Sequence, residues 1–190
     1  MRVVLASASP RRLELLKMMG VADFAVIPAK HEMEAGDLPP AEAVQQIAFG
    51  KAEEVARKCG EEDVFIAADT LVYLDGAPLG KPHDRGDARR MLQQLSGRGH
   101  SVFTGVAVIY GERELVSHEE TRVFFRRLSP DEIERYVDTG EPMDKAGSYG
   151  AQGRGAAFIE RVEGDFWNVV GLPLCHLDGM LKEIGFGFLS

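Results

Sequence analysis

Asp69 is the carboxylate whose position most invites chemistry. It closes the apolar run Val64-Phe-Ile-Ala-Ala68, and α/β proteins place their ligands at the carboxyl ends of strands. A carboxylate there can hold a divalent cation or take a proton from water; it can equally serve as a turn or cap residue. Lys51 falls within the apolar stripe of a helical segment, between Ala48 and Val55. A cation on such a face must snorkel, pair with an anion or reach a ligand. Near the N-terminus, Ser7, Ser9, Arg11 and Arg12 crowd a strand-to-helix turn. Hydroxyls and guanidinium forks at a helix start form a phosphate site, although a capped helix with solvated arginines needs the same residues. Lys81 adds a further cation on a Pro- and Gly-flanked loop. Glu32 and Glu34 offer carboxylates in an acidic stretch that could also be solvated loop.

Several motif readings fail on spacing. Gly76-Ala-Pro-Leu-Gly80-Lys81-Pro82 has one residue too few between its glycines for a P-loop, and Pro82 stands where a metal-binding hydroxyl is required. Gly150-Ala-Gln-Gly153-Arg-Gly155 reverses the dinucleotide-binding spacing, and no helical pattern follows it. The histidines and cysteines show no zinc spacing, and no GxSxG elbow is present. Cys59 and Cys175 read as reduced core thiols, and Trp167 reads as core.

The elements that must position these groups follow from periodicity and punctuation. Arg2 to Ala6 is a strand, and Pro10 opens a helix that stops at Gly20. Phe24 to Ile27 is a second strand. A proline-rich acidic loop, 31–40, leads into a helix over 41–58. Val64 to Ala68 is a buried strand, extended through Leu74 to an Asp75-Gly76 hairpin turn. Asp84 caps a helix ending before Gly97. His100 to Tyr110 and Leu115 to Phe125 pair across Gly111-Glu112. Ser129-Pro-Asp-Glu132 is a capping box. Residues 141–155 are irregular, Ala156 to Val162 and Phe166 to Val170 are extended segments flanking a Glu163-Gly164 turn, and Pro173 opens a last helix. Early helix–strand alternation and later strand pairing give an α/β class with a mixed sheet.

The chain has 190 residues, 45% of them hydrophobic and 27% charged, so a core needs no disulfide or metal to hold it. With 22 basic and 30 acidic side chains the formal charge is −8, which argues against stable nucleic-acid binding. No apolar stretch reaches membrane-spanning length, and no signal-peptide pattern opens the chain, so a cytoplasmic location with no membrane partner is expected.

Taken together, the motifs resemble the Maf family of nucleoside triphosphate pyrophosphatases nearly end to end. The resemblance lies in Ser7-Ala-Ser-Pro-Arg-Arg12, Ala48-Phe-Gly-Lys51-Ala, Ala68-Asp-Thr70, Leu79-Gly-Lys-Pro82, Leu95-Ser-Gly97 with His100-Ser-Val, Glu141-Pro-Met-Asp-Lys-Ala-Gly-Ser-Tyr-Gly-Ala-Gln-Gly153, and Val169-Val-Gly-Leu-Pro-Leu174. It implies one domain over 1–190 with a fold like that of the inosine triphosphate pyrophosphatases, an elongated mixed sheet with flanking helices and a cleft between two lobes. It implies hydrolysis of a nucleoside triphosphate to monophosphate and pyrophosphate with a divalent metal, Mg or Mn. The Asp144 to Gln152 segment resembles the branch acting on dTTP and UTP; a sister branch acts on 7-methyl-GTP, and a nucleotide-binding role in septum formation without catalysis is a further alternative. By the match, Asp69 is the catalytic carboxylate, and Arg11, Thr70 and Gln152 set specificity. Ser7, Ser9, Arg12, Lys51 and Lys81 would bind phosphate, and Glu32 with Asp69 would hold the metal. Met33 departs from a family pattern that often has a second carboxylate directly after the Glu32 position. A homodimer would follow from the fold resemblance alone.

Overall fold

The computed structural model describes residues 2–21, 23–30, 36–60 and 62–189. Among the described residues seven strands are formed: β1 (Val3–Leu5), β2 (Phe24–Val26), β3 (Val64–Leu74), β4 (Ala77–Leu79), β5 (Gly99–Tyr110), β6 (Arg113–Phe125) and β7 (Ile159–Glu163). Their order is β2-β1-β3-β5-β6-β7, with β4 on β3. β1 pairs in parallel with β2 and β3, whereas β4 and β7 pair antiparallel with β3 and β6. The helices are α1 (Pro10–Met18), α2 (Pro40–Ala56), α3 (Arg85–Leu95), α4 (Pro130–Asp138), α5 (Phe166–Val170) and α6 (Leu174–Glu183). This is the mixed α/β class expected from the sequence.

The chain divides into two compact units. The first comprises 1–69, 104–119 and 171–190; the second comprises 70–103 and 120–170. Each unit has a core of its own. In the first, Val4, Ala6, Phe65, Ala67, Ala107 and Ile109 of the strands pack with Ala48, Ala52 and Val55 of α2. In the second, Met91, Leu92 and Leu95 of α3 and Ile133, Tyr136 and Val137 of α4 cluster with Val123, Phe125, Tyr149 and Phe158.

Local chemistry accounts for the element ends. Asp84 accepts from the Asp87 N–H at 2.8 Å and caps α3. Ser129 and Glu132 form the expected capping box on α4. Asp75 and Gly76 both have positive φ, the backbone a two-residue hairpin loop requires. One extended segment is corrected: Phe166 to Val170 is the helical turn α5. Asp165 accepts from the Trp167 N–H at 2.7 Å and starts the turn, and the buried Asn168 amide donates to the Val102 carbonyl and Thr121 Oγ1. Ala156 to Phe158 belong to a 3-10 turn rather than to β7. Cys175 is exposed rather than core, and Cys59 is partly buried. Trp167 is only partly buried. Among the described residues no helix is long and apolar enough to cross a membrane.

Helix α2 lies so close to β5 that only glycine fits at 105. A Cβ on Gly105 would stand 2.0 Å from the Val44 carbonyl oxygen, a backbone atom. Gly105→Ala is therefore expected to lose at least about 2 kcal/mol of stability through overpacking, measured by urea unfolding. A loss below about 0.5 kcal/mol, the range of a harmless surface change, would show that α2 can lift away without cost.

Candidate active site

The first unit holds six of the described residues singled out from the sequence: Ser7, Ser9, Arg11, Arg12, Lys51 and Asp69. Its centre is an ion pair in which Lys51 Nζ donates to Asp69 Oδ1 at 2.5 Å. The two side chains are only 19% and 17% exposed, so water screens the pair less than it would a surface salt bridge. The demand set by Lys51 on the apolar face of α2 is thus met by an anion. Asp69 Oδ2 takes no hydrogen bond among the described residues.

Asp69 does not end its strand, because β3 continues to Leu74. Instead it lies past the last register pair with β1, Leu5↔Ile66. Burial along β3 lapses only at Asp69, Thr70 and Leu71. The side chain therefore emerges where the neighbouring strand has already turned away toward α1.

That turn holds Ser7 and Arg12. The buried Ser7 Oγ accepts from the Ser9 N–H at 3.2 Å and from Arg12 Nη1 at 3.1 Å. Arg12 Nε also donates to the Gly171 carbonyl at 2.8 Å, so the planar fork is fixed from two sides. Burial pulls the Arg12 guanidinium below its ordinary pKa, the Asp69 charge opposes that, and the neighbouring Arg11 reinforces it. Arg11, Arg12 and Asp69 are therefore within one electrostatic neighbourhood. Ser9 occupies the N-cap of α1, but its side chain makes no capping bond; Ser7 supplies the oxygen instead. Pro10 at the first helical position has a preset φ that suits the turn.

Thr70, Lys81 and Gln152 belong to the second unit. Thr70 directly follows Asp69 in β3. Lys81 and Gln152 are exposed and sit on two loops that are tied together, since the Gly147 N–H donates to the Gly80 carbonyl at 3.1 Å. The Gln152 loop runs between two 3-10 turns, Ala146–Ser148 and Arg154–Phe158. It is anchored by Tyr149, whose hydroxyl lies 2.8 Å from His100 Nε2 in the core. Glu32, Met33 and Glu34 lie outside the described residues.

Sequence reasoning missed the residues behind the Gln152 loop. Its glycines are explained by the protein itself: a Cβ at Gly153 would come within 2.4 Å of the Glu141 carboxylate, and one at Gly155 within 2.7 Å of the Tyr136 hydroxyl. The available signal was a glutamate, Glu141, heading a glycine-rich segment whose N–H groups need acceptors.

Among the described residues no cluster of three or more His, Cys, Asp or Glu could hold a metal. Asp69 contributes one hard oxygen donor. This suits an ion such as Mg²⁺, which keeps several waters and is bound by one or two carboxylates together with phosphate oxygens.

In comparisons with known proteins, residues 2–184 match the model of a family described as "Maf-like protein". A dTTP/UTP pyrophosphatase of Symbiobacterium thermophilum is 49% identical over 185 residues, covering 97% of this chain and 95% of that protein. A dTTP/UTP pyrophosphatase of Pelotomaculum thermopropionicum is 51% identical over 189 residues, covering 98% of each. Among solved structures, a HAM1 protein from Coxiella burnetii aligns with a TM-score of 0.49 and 20% identity over 67% of this chain and 74% of that one.

The His100–Tyr149 anchor yields a pH prediction. Burial pushes the His100 pKa down from 6.5 to about 4, and its Nδ1 has no hydrogen-bond partner among the described residues. The unfolded chain binds this proton more readily, so the contribution to stability is full above about pH 6.5 and is lost as pH falls toward 4; the most it can reach is about 3 kcal/mol. Urea midpoints taken across that window should fall less steeply for His100→Gln than for the unsubstituted protein. Equal slopes would remove His100 from the acid response.

Proposed function

The chain belongs to the Maf family, and from that premise we propose that it hydrolyses dTTP and UTP to the nucleoside monophosphate and pyrophosphate. The relatives at about half identity carry that name along nearly their whole length. The observation that carries the reading within this chain is the partly buried Lys51–Asp69 pair beside the fixed Arg12 fork. It combines one carboxylate able to accept a proton with cations suited to phosphate oxygens.

In the proposed reaction, water attacks the α-phosphorus and passes its proton to Asp69 through the free Oδ2. The bond from that phosphorus to the bridging oxygen breaks, and pyrophosphate leaves with the electron pair. Arg12 offers a rigid fork to phosphate oxygens, Lys51 and Arg11 add cations from the same unit, and Lys81 is assigned to phosphate as a further point charge. Ser7 and Ser9 add hydroxyl donors at the start of α1, where the helix end favours anions. A substrate phosphate competes with Asp69 for Lys51, so binding itself loosens the carboxylate from its partner. A divalent cation, Mg or Mn, would be held by Asp69 with Glu32; when bound it would neutralise phosphate charge and acidify a water. Gln152 is assigned to the base: its amide has both a donor and an acceptor, which match the N3–H and O4 edge of uracil and thymine. Thr70 and Arg11 complete the specificity set.

Asp69→Asn should lower turnover of UTP by at least about 10²-fold, the scale for loss of a general base, while nucleotide binding persists. Full activity in that variant would remove Asp69 from the chemistry. A panel of UTP, dTTP, CTP, GTP and 7-methyl-GTP, with pyrophosphate assayed apart from phosphate, should give pyrophosphate from UTP and dTTP. Release from 7-methyl-GTP instead would keep the reaction and overturn the assignment of Gln152. Binding without any product would favour a regulatory role.

A further inference from the structure

Gln152 recognises a base only if the backbone beneath it is fixed, and the structure shows what fixes it. The Glu141 carboxylate accepts three hydrogen bonds: from the Tyr136 hydroxyl at 2.8 Å, the Arg154 N–H at 2.9 Å and the Gly155 N–H at 3.1 Å. The Tyr136 hydroxyl in turn accepts from the Gly150 N–H at 3.0 Å. Both ends of the 150–155 segment therefore close on one carboxylate–phenol pair. A turn from the Gly153 N–H to the Gly150 carbonyl, at 3.3 Å, leaves Gln152 between them. The Gln152 side chain makes no hydrogen bond among the described residues and is exposed, so what the loop fixes is the place and direction of its Cα–Cβ bond.

The pair is built into the second unit rather than laid on its surface. Tyr136 is 4% exposed, and its ring meets Phe158 edge-on at 4.8 Å. Lys145 Nζ donates to the Glu141 carbonyl at 2.8 Å. The space that side chains at Gly153 and Gly155 would take is filled by the Glu141 carboxylate and the Tyr136 hydroxyl. A carboxylate is the only side chain that brings two charged acceptor oxygens to a pair of neighbouring N–H groups and a phenol at once.

We propose that Tyr136 and Glu141 are positioning residues for base selection, latching the loop so that the Gln152 side chain projects from one fixed backbone position. This rests on the assignment of Gln152 made above. Neither residue is placed against substrate; both act through the loop.

The test compares Glu141→Gln, Glu141→Asp, Tyr136→Phe and Gln152→Ala by steady-state kinetics on UTP and CTP. If the latch positions Gln152, Glu141→Gln and Tyr136→Phe lower the UTP-to-CTP ratio of kcat/KM by about tenfold or more, the scale for a hydrogen-bonding pocket that loses its geometry. Most of the loss should appear as a raised KM for UTP, with kcat changed less than about threefold, because Asp69 is untouched. Glu141→Asp, which keeps the charge, should recover part of the ratio. A merely structural role would reduce the active fraction, and so kcat, with KM and the ratio unchanged; that result overturns the proposal. If Gln152→Ala lowers the ratio and the latch variants do not, the proposal falls while the assignment of Gln152 stands. If Gln152→Ala leaves the ratio unchanged, that assignment fails and the proposal fails with it.

Discussion

The first unit is organised around a single electrostatic obligation. Lys51 comes from the face of α2 that also carries Ala48, Ala52 and Val55, all fully buried. A cation emerging from such a face needs a partner, and Asp69 is that partner. The requirement propagates. Asp69 lies on β3 between the last register pair with β1, Leu5↔Ile66, and the first with β4, Val72↔Leu79. Helix α2 must also lie close to the sheet, and Gly105 permits that by leaving the Val44 carbonyl its space. Arg12 then adds a second cation to the same carboxylate's field, steadied by Ser7 and the Gly171 carbonyl. A cluster of cations around one carboxylate is thus assembled from packing constraints, in a chain whose formal charge is −8.

The second unit solves a different problem. A loop rich in glycine loses much conformational entropy when ordered, and residues 150–153 belong to no helix or strand. The burden falls on side chains: Glu141 and Tyr136 take up the loop N–H groups, and His100 fastens Tyr149. These groups are anchored in turn by the aromatic cluster of Phe125, Tyr149, Phe158 and Tyr136. The glycines are then a consequence of the latch, since a side chain at 153 or 155 would occupy the space of the acceptors.

Much of this was legible in the sequence, for reasons that differ by residue. Element ends were legible wherever one side chain decides them: Asp84, the Ser129–Glu132 box and Asp75-Gly76 act within a few residues of themselves. Lys51 was legible because a charge within an apolar stripe is an anomaly of local pattern. What escaped was non-local. Phe166 to Val170 reads as extended because it follows the Glu163-Gly164 turn, yet Asn168 is held inside by Val102 and Thr121, which lie far away in sequence. The place of Asp69 within β3, rather than at a carboxyl end, escaped because Asp69 interrupts apolarity without ending the strand. Glu141 sits close to the loop that it holds, but its three donors become neighbours only after the chain has folded back.

The two carboxylates are held in two different ways. Asp69 receives one hydrogen bond, from a flexible lysine that a phosphate can attract away, and its second oxygen is open. Glu141 receives three hydrogen bonds, two of them from backbone N–H groups that cannot leave. Burial disfavours the charged form of Glu141, and those two N–H bonds together with Tyr136 outweigh it, holding the carboxyl below its ordinary pKa. A carboxylate fixed in that way is a poor proton acceptor and a good structural anchor. The number of donors, and how many of them are backbone N–H groups, distinguish a carboxylate that is left with an open oxygen from one that holds a loop still.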